Sequence, residues 1–227
     1  MQVRFVHHTA LLAGLVLAAP SAVSAQSPSS QDDPYVAIKL AVGVQGSVDV
    51  DSTVAGVTVS ANDDLEPSFG AGMAYMHPLH RYFVLGGQLS LLSWQTQSRD
   101  NANLDRNLLA DLTVVPQGRL PVSDDIELTL GLPLGLALDF WGDDQVAVGV
   151  GGASVVTGDV GPGVGFTFGL MLGARFAVSR SVGLLVELGY VAHNFTHTVD
   201  TTVGPLTNST DVDFAAGQPL LQVGVSF

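Results

Sequence analysis

From Tyr35 to Phe227 the apolar side chains recur at every second position. That is the strand period, because successive side chains of an extended chain point to opposite faces. Residues 126–140 show it most clearly. Ile126, Leu128, Leu130, Leu132, Leu134, Leu136, Leu138 and Phe140 alternate with Glu127, Thr129, Gly131, Pro133, Gly135, Ala137 and Asp139. A helix of this sequence would spread Leu around its whole circumference and bury Glu127 and Asp139. A strand separates the two sets. The same separation holds near residues 36–44, 68–75, 83–91, 108–117, 164–176, 182–193 and 221–227. The pattern predicts about eight strands of roughly 9–15 residues, longer than the usual 5–6 and long enough to cross a bilayer when tilted.

Eight amphipathic strands can close into a soluble barrel with its apolar face inward, or a membrane barrel with that face outward in lipid. The polar set decides between them. It contains Lys39, Glu66, Asp111, Arg119, Glu127, Asp139, Arg175 and Glu187, separated mostly by Gly, Ala, Ser, Thr and Gln. Such a set suits a crowded, narrow lumen. The opposite face is nearly unbroken Leu, Val and Phe, too large an apolar set for a small soluble interior. The expected fold is therefore a single antiparallel up-and-down transmembrane β-barrel, residues 34–227, with a polar, small-residue lumen.

Connections follow the same logic. Short turns are expected near residues 77–81, 121–125 and 179–181, and longer polar segments at 51–64, 95–106, 142–162 and 196–211. Short periplasmic turns alternating with long external loops are the outer-membrane pattern, which puts both termini in the periplasm. Aromatic residues fall at two levels: Tyr35, Tyr75, Tyr82, Phe83, Phe176 and Phe227 at one, and Trp94, Phe140, Trp141, Tyr190, Phe195 and Phe214 at the other. Amphipathic rings favour membrane interfaces, so both groups are expected to form girdles.

Composition adds an address and several exclusions. Arg4, His7 and His8 precede an apolar stretch over residues 9–20, and small residues Val23, Ser24 and Ala25 follow. This is a secretory signal peptide pattern, with cleavage expected after Ala25 and a short polar periplasmic tail at 26–33. No later apolar run reaches the roughly 20 residues of a helical span. The formal charge of −13 argues against nucleic acid as a partner. With no Cys, disulfide scaffolds and thiolate zinc sites are excluded.

The signal peptide, the eight alternating strands and a last strand carrying Val223, Val225 and Phe227 resemble the small OmpA/OmpX-type outer-membrane β-barrels. The resemblance covers residues 34–227 and is architectural. It implies that Phe227 belongs to the signal read by the barrel-assembly machinery, and that outer-membrane lipids are the second partner. It departs from full OmpA proteins in that the chain stops at Phe227, so no peptidoglycan-binding domain is expected.

Candidate chemistry is sparse. His77 and His80 could approach a metal, but a solvated turn accounts for them because no carboxylate is near in sequence. His193 and His197 lie four apart, which on a strand is roughly 13 Å, too far to share an ion. A lipid-modifying enzyme would need a nucleophile, a His and an acid facing lipid, whereas Ser90, His193 and Glu187 face the lumen by parity. The acidic pairs Asp32–Asp33, Asp63–Asp64, Asp124–Asp125 and Asp143–Asp144, with Asp49/Asp51 and Asp211/Asp213, form no calcium loop. Gly149, Gly151 and Gly152 lack the Lys and helix of a phosphate loop. No catalytic residue, cofactor or metal is expected. The lumen acids and bases are expected to pair, first Arg119 with Glu127, then Arg175 with Glu187. The expected role is structural or surface-interacting, with an extracellular ligand or surface met through the loops. The alternative is a narrow pore for small solutes.

Overall fold

The computed structural model describes residues 33–54, 57–95, 106–140, 145–150, 153–179, 181–203 and 206–227. The expected signal peptide, the tail up to Asp32, and Trp141, Asp143, Asp144, Gly151 and Gly152 lie outside the described residues. Among the described residues there are thirteen strands: β1 (Tyr35–Gly43), β2 (Gly46–Val54), β3 (Val57–Leu65), β4 (Ser68–His80), β5 (Phe83–Trp94), β6 (Asn107–Pro121), β7 (Ile126–Gly131), β8 (Leu134–Phe140), β9 (Gln145–Val150), β10 (Ala153–Val160), β11 (Gly163–Ala177), β12 (Gly183–Val203) and β13 (Leu206–Ser226).

They form an all-β antiparallel barrel with eight wall positions. The ring runs β1, β4, β5, β6, then β7 and β8 end to end, then β11, β12 and β13, each bonded to its neighbours. It closes where β1 meets β13, with Ala37 opposite Ser226 and Gly43 opposite Leu220. Two backbone bonds finish the seam: Val36 N–H donates to Phe227 O at 3.1 Å and Phe227 N–H to Val36 O at 2.9 Å. A closed ring leaves no unpaired edge, which a lipid-solvated sheet cannot tolerate.

The alternating pattern at 126–140 yields two strands rather than one. Pro133 has no N–H to donate, so the ladder pauses at Leu132 and Pro133. The wall stays joined there, because Leu132 N–H donates to Pro116 O at 3.0 Å and Gly169 N–H to Pro133 O at 2.9 Å.

The short connections, at Arg81–Tyr82, 122–125 and 178–182, all lie at one end of the barrel, here termed the turn end. At the opposite, hairpin end, much of the polar segments expected as loops is itself strand: β2–β3, β9–β10, and the far ends of β12 and β13. Their Thr and Val content favours extended chain. Side-chain bonds across the rungs reinforce it: Asn62 donates to Asp49 at 2.7 Å, Thr196 to Asp213 at 2.6 Å and Thr198 to Asp211 at 3.0 Å. Beyond the ring these strands continue as an open sheet in the order β3-β2-β13-β12-β10-β9.

The outward face is an apolar belt. Leu40, Leu112, Phe166 and Leu172 are each 60–67% exposed, and every wall strand contributes similar residues. A soluble monomer exposes no contiguous patch of that size, whereas lipid solvates it. Tyr190 joins the belt with its ring laid over Gly217 of the neighbouring strand, where a side chain would collide with it.

The inward face carries the expected polar and small residues together with buried apolar ones in layers. A polar middle separates two apolar clusters. One lies toward the turn end around Tyr35, Met76, Val84 and Leu185. The other lies toward the hairpin end around Val48, Leu65, Leu92, Trp94, Leu109, Phe195 and Phe214. Tyr35, Trp94, Phe195 and Phe214 are therefore interior residues and not girdle residues. Tyr75, Tyr82, Phe83, Phe140, Phe176, Tyr190 and Phe227 do face outward.

Candidate functional site

Strand parity sends the polar side chains into the lumen, and the register decides which of them meet. Arg119 on β6 and Glu127 on β7 flank a short turn on neighbouring strands, with Arg119 opposite Thr129 and Glu127 opposite Pro121. This diagonal placement lets long side chains touch. Arg119 Nη1 lies 3.6 Å from Glu127 Oε2, and both side chains are buried. Arg119 also donates from Nε to Arg81 O at 2.9 Å and from Nη2 to His80 O at 3.4 Å, tying β6 to the neighbouring turn.

Arg175 and Glu187 do not pair. Arg175 Nε donates to Ser226 Oγ at 3.1 Å, and its guanidinium lies 4.5 Å above the Tyr35 ring. Glu187 is taken by Lys39, with Nζ to Oε2 at 2.6 Å. Sequence separation hid this pair. Lys39 on β1 and Glu187 on β12 come near each other only because β13 alone separates their strands once the ring closes. Lys39 Nζ also donates to Gln88 Oε1 at 3.0 Å. Glu66 is not in the lumen either. It follows β3 at the rim, where its half-exposed carboxylate lies 3.9 Å from Arg106.

Two histidines complete the interior, each with its own carboxylate. His193 Nε2 lies 3.2 Å from Asp111 Oδ2. Farther toward the hairpin end, His197 Nε2 lies 3.1 Å from Asp139 Oδ2, and His197 Nδ1 lies 2.8 Å from Gly161 O. Asp139 is fully buried, accepting from Trp94 Nε1 at 2.7 Å and from Asn107 Nδ2 at 3.4 Å. Its partners thus come from β5, β6 and β12, three different wall strands. The His197 ring meets Phe195 and Phe214 edge-on, with centroids 5.4 and 5.3 Å away. It lies over Gly163, where a side chain would strike the ring. The parity that directs His193 inward also directs Phe195 and His197 inward, so the spacing carries the signal for this group.

Buried pairs of this kind are modest in net stabilisation but severe to break. Removing one partner strands a desolvated charge, at about 3–5 kcal/mol. The arrangement fixes the lumen contents more than it lowers their energy. The space left is small. A cavity of about 30 Å³ lies between the pairs, lined by Lys39, Gln88, Ser90, Asp111, Glu187, His193 and Gln222 among others. Ser90, His193 and Asp111 all line it, and its volume is on the scale of a buried water. Among the described residues no three His, Asp or Glu side chains gather closely enough to hold a metal ion.

The closed ring, the apolar exterior and the filled polar interior can be set beside known proteins. No family model matches the chain, and no curated protein matches it in sequence. Solved structures do. The crystal structure of the outer membrane protein OprG from Pseudomonas aeruginosa superposes with a TM-score of 0.62, covering 88% of this chain and 98% of that one at 9% identity. The fold is that of the small outer-membrane β-barrels. The solid-state NMR structure of the outer membrane protein AlkL in lipid bilayers matches with a TM-score of 0.51, covering 90% of this chain and 93% of that one at 16% identity. At these identities the barrel is shared and the lumen chemistry has to be read from this chain's own residues.

Proposed function

We propose that this barrel resides in a bacterial outer membrane as a non-conducting wall element that displays its hairpin end at the cell surface. The observation that carries the reading is the lumen. At mid-barrel it is crossed by the Lys39–Glu187 pair beside a cavity of about 30 Å³, and apolar clusters flank it toward both ends. An interior just filled by side chains is the expected state of an eight-position barrel. No reaction is assigned to it. The turn end faces the periplasm in this reading, because short turns lie there and long hairpins at the other end. Phe227 at the seam is the residue offered to the assembly machinery. The open sheet of β3, β2, β13, β12, β10 and β9 is the surface presented to an extracellular ligand or neighbouring surface.

A planar bilayer tests the central claim. Purified protein inserted at neutral pH should give no steady single-channel steps in potassium chloride. Reproducible ion currents would replace this reading with a water-filled pore.

One observation favours a second reading, a pathway for small solutes. The hairpin half of the lumen is lined by Leu92, Trp94, Leu109, Phe195 and Phe214, where a water-filled pore would be polar. That lining suits an apolar solute and not an ion. Faster entry of an apolar dye into vesicles holding the barrel than into protein-free vesicles, without any ion current, would support it.

A further inference from the structure

The polar middle of the lumen contains unmatched polar groups that point to what belongs between the Lys39–Glu187 and His193–Asp111 pairs. Asp111 and Gln222 are each about 5% exposed or less, and both line the same cavity. Asp111 Oδ2 meets His193, but among the described residues Asp111 Oδ1 has no hydrogen-bond partner, and neither has Gln222 Oε1. Both are acceptors. An ammonium group has three N–H donors, and Lys39 spends two of them, on Glu187 and Gln88. Among the described residues the cavity is thus bordered by two buried acceptors without donors, with the remaining N–H of Lys39 beside them.

We propose that this cavity is a binding site for a single ordered water that accepts from Lys39 Nζ and donates to Asp111 Oδ1 and Gln222 Oε1. One water can accept from Lys39 and donate to both oxygens, and about three hydrogen bonds is the usual complement of a buried water. The volume of about 30 Å³ exceeds the roughly 10–15 Å³ that such a molecule needs. The consequence lies in connectivity. Without the water, Lys39–Glu187 and His193–Asp111 are separate pairs. With it they become one network running from β1 through β6 to β12, so that a change at Lys39 is felt at Asp111, which it does not touch. A small cation fits the site less well, since Lys39 already presents positive charge to it.

The first test is a structure of the refolded full chain at a resolution that shows solvent, grown once from sodium chloride and once from rubidium chloride. The expected result is one peak at about 2.7–3.2 Å from all three atoms, without anomalous signal in rubidium. An anomalous peak, or a dry cavity, overturns the proposal. The second test is a double-mutant cycle of Lys39→Met with Asp111→Asn, read from urea unfolding in lipid vesicles. The two changes should be non-additive by about fivefold or more in the unfolding equilibrium constant. Lys39→Met with Asp139→Asn, which share no partner, serves as the additive control. Additivity within twofold in the first cycle overturns the water bridge. Should a charge variant fail to refold, Gln222→Met removes one acceptor while keeping the pairs. Its structure should show the water displaced or shifted off the Lys39–Asp111 line, and a water unmoved from that place would equally overturn the assignment.

Discussion

Asp139 shows how much one side chain can organise. Fully buried, it binds Trp94, Asn107 and His197, so a single carboxylate spans three wall strands. The Trp94 bond is the shortest of the three, and hydrogen bonds to charged groups are worth about 1.5–3 kcal/mol. Trp94→Phe keeps an aromatic ring against Phe195 but removes that donor. It should lower stability by about that amount, read as a lower urea midpoint in lipid vesicles, and an unchanged midpoint would mean that Asp139 finds another donor. Much of this residue scale was legible. Period two assigned Lys39, Asp111, Arg119, Glu127, Asp139, Arg175 and Glu187 to the interior, and all of them face inward. The partners were less legible, because pairing depends on the ring's closure and on side-chain reach. Arg119 and Glu127, adjacent through a short turn, could be matched from sequence. Lys39 and Glu187, 148 positions apart, could not. Glu66 misled because parity was carried past the end of its strand into the rim.

At the scale of elements, the eight long strands follow from their alternation, whereas the hairpin end does not. Residues 196–200 alternate Thr196, Thr198 and Asp200 outward with His197 and Val199 inward, which resembles a polar loop by composition and a strand by spacing. The bonds that stabilise them, Thr196 to Asp213 and Thr198 to Asp211, involve residues that composition counts merely as soluble. The β2–β3 hairpin should be separable from the barrel beneath it, since β1 and β4 pair with each other independently through Ala37 and Ala74 up to Gly43 and Ser68. Val50 stands opposite Ala61, so residues 51–60 can be replaced by Asn-Gly, the two-residue turn that matches strand twist. The shortened chain should keep the heat-dependent gel shift of a folded barrel. Loss of that shift would show that the hairpin is needed to close the ring.

For the whole molecule, the governing fact is an inversion: the largest apolar surface faces outward. The belt's orientation is directly testable at Leu134, half-exposed in mid-wall just after the Pro133 interruption. Leu134→Arg should cost about 2–4 kcal/mol near the bilayer midplane, as measured by refolding titration into lipid vesicles. A neutral result would mean that this face does not contact hydrocarbon. The sequence signal for the inversion was the smallness of the opposite face, where Gly, Ala, Ser and Thr leave room for a few charged side chains. What that signal did not carry was the lumen's layering, because Leu92, Leu109 and Leu185 sit at inward positions in strands whose outward positions are equally apolar.

The Trp94–Asp139 bond also turns the barrel into its own optical probe. The chain has two tryptophans, so Trp141→Phe would leave the Trp94 indole as the sole strong fluorophore. Its ring is enclosed with Phe195 inside the wall and 3% exposed, separated both from water and from the lipid around the belt. Emission from that ring would be blue-shifted and shielded from iodide in solution and from brominated acyl chains alike. Light from one side chain would then report, in real time, when the hairpin end of the lumen closes during insertion.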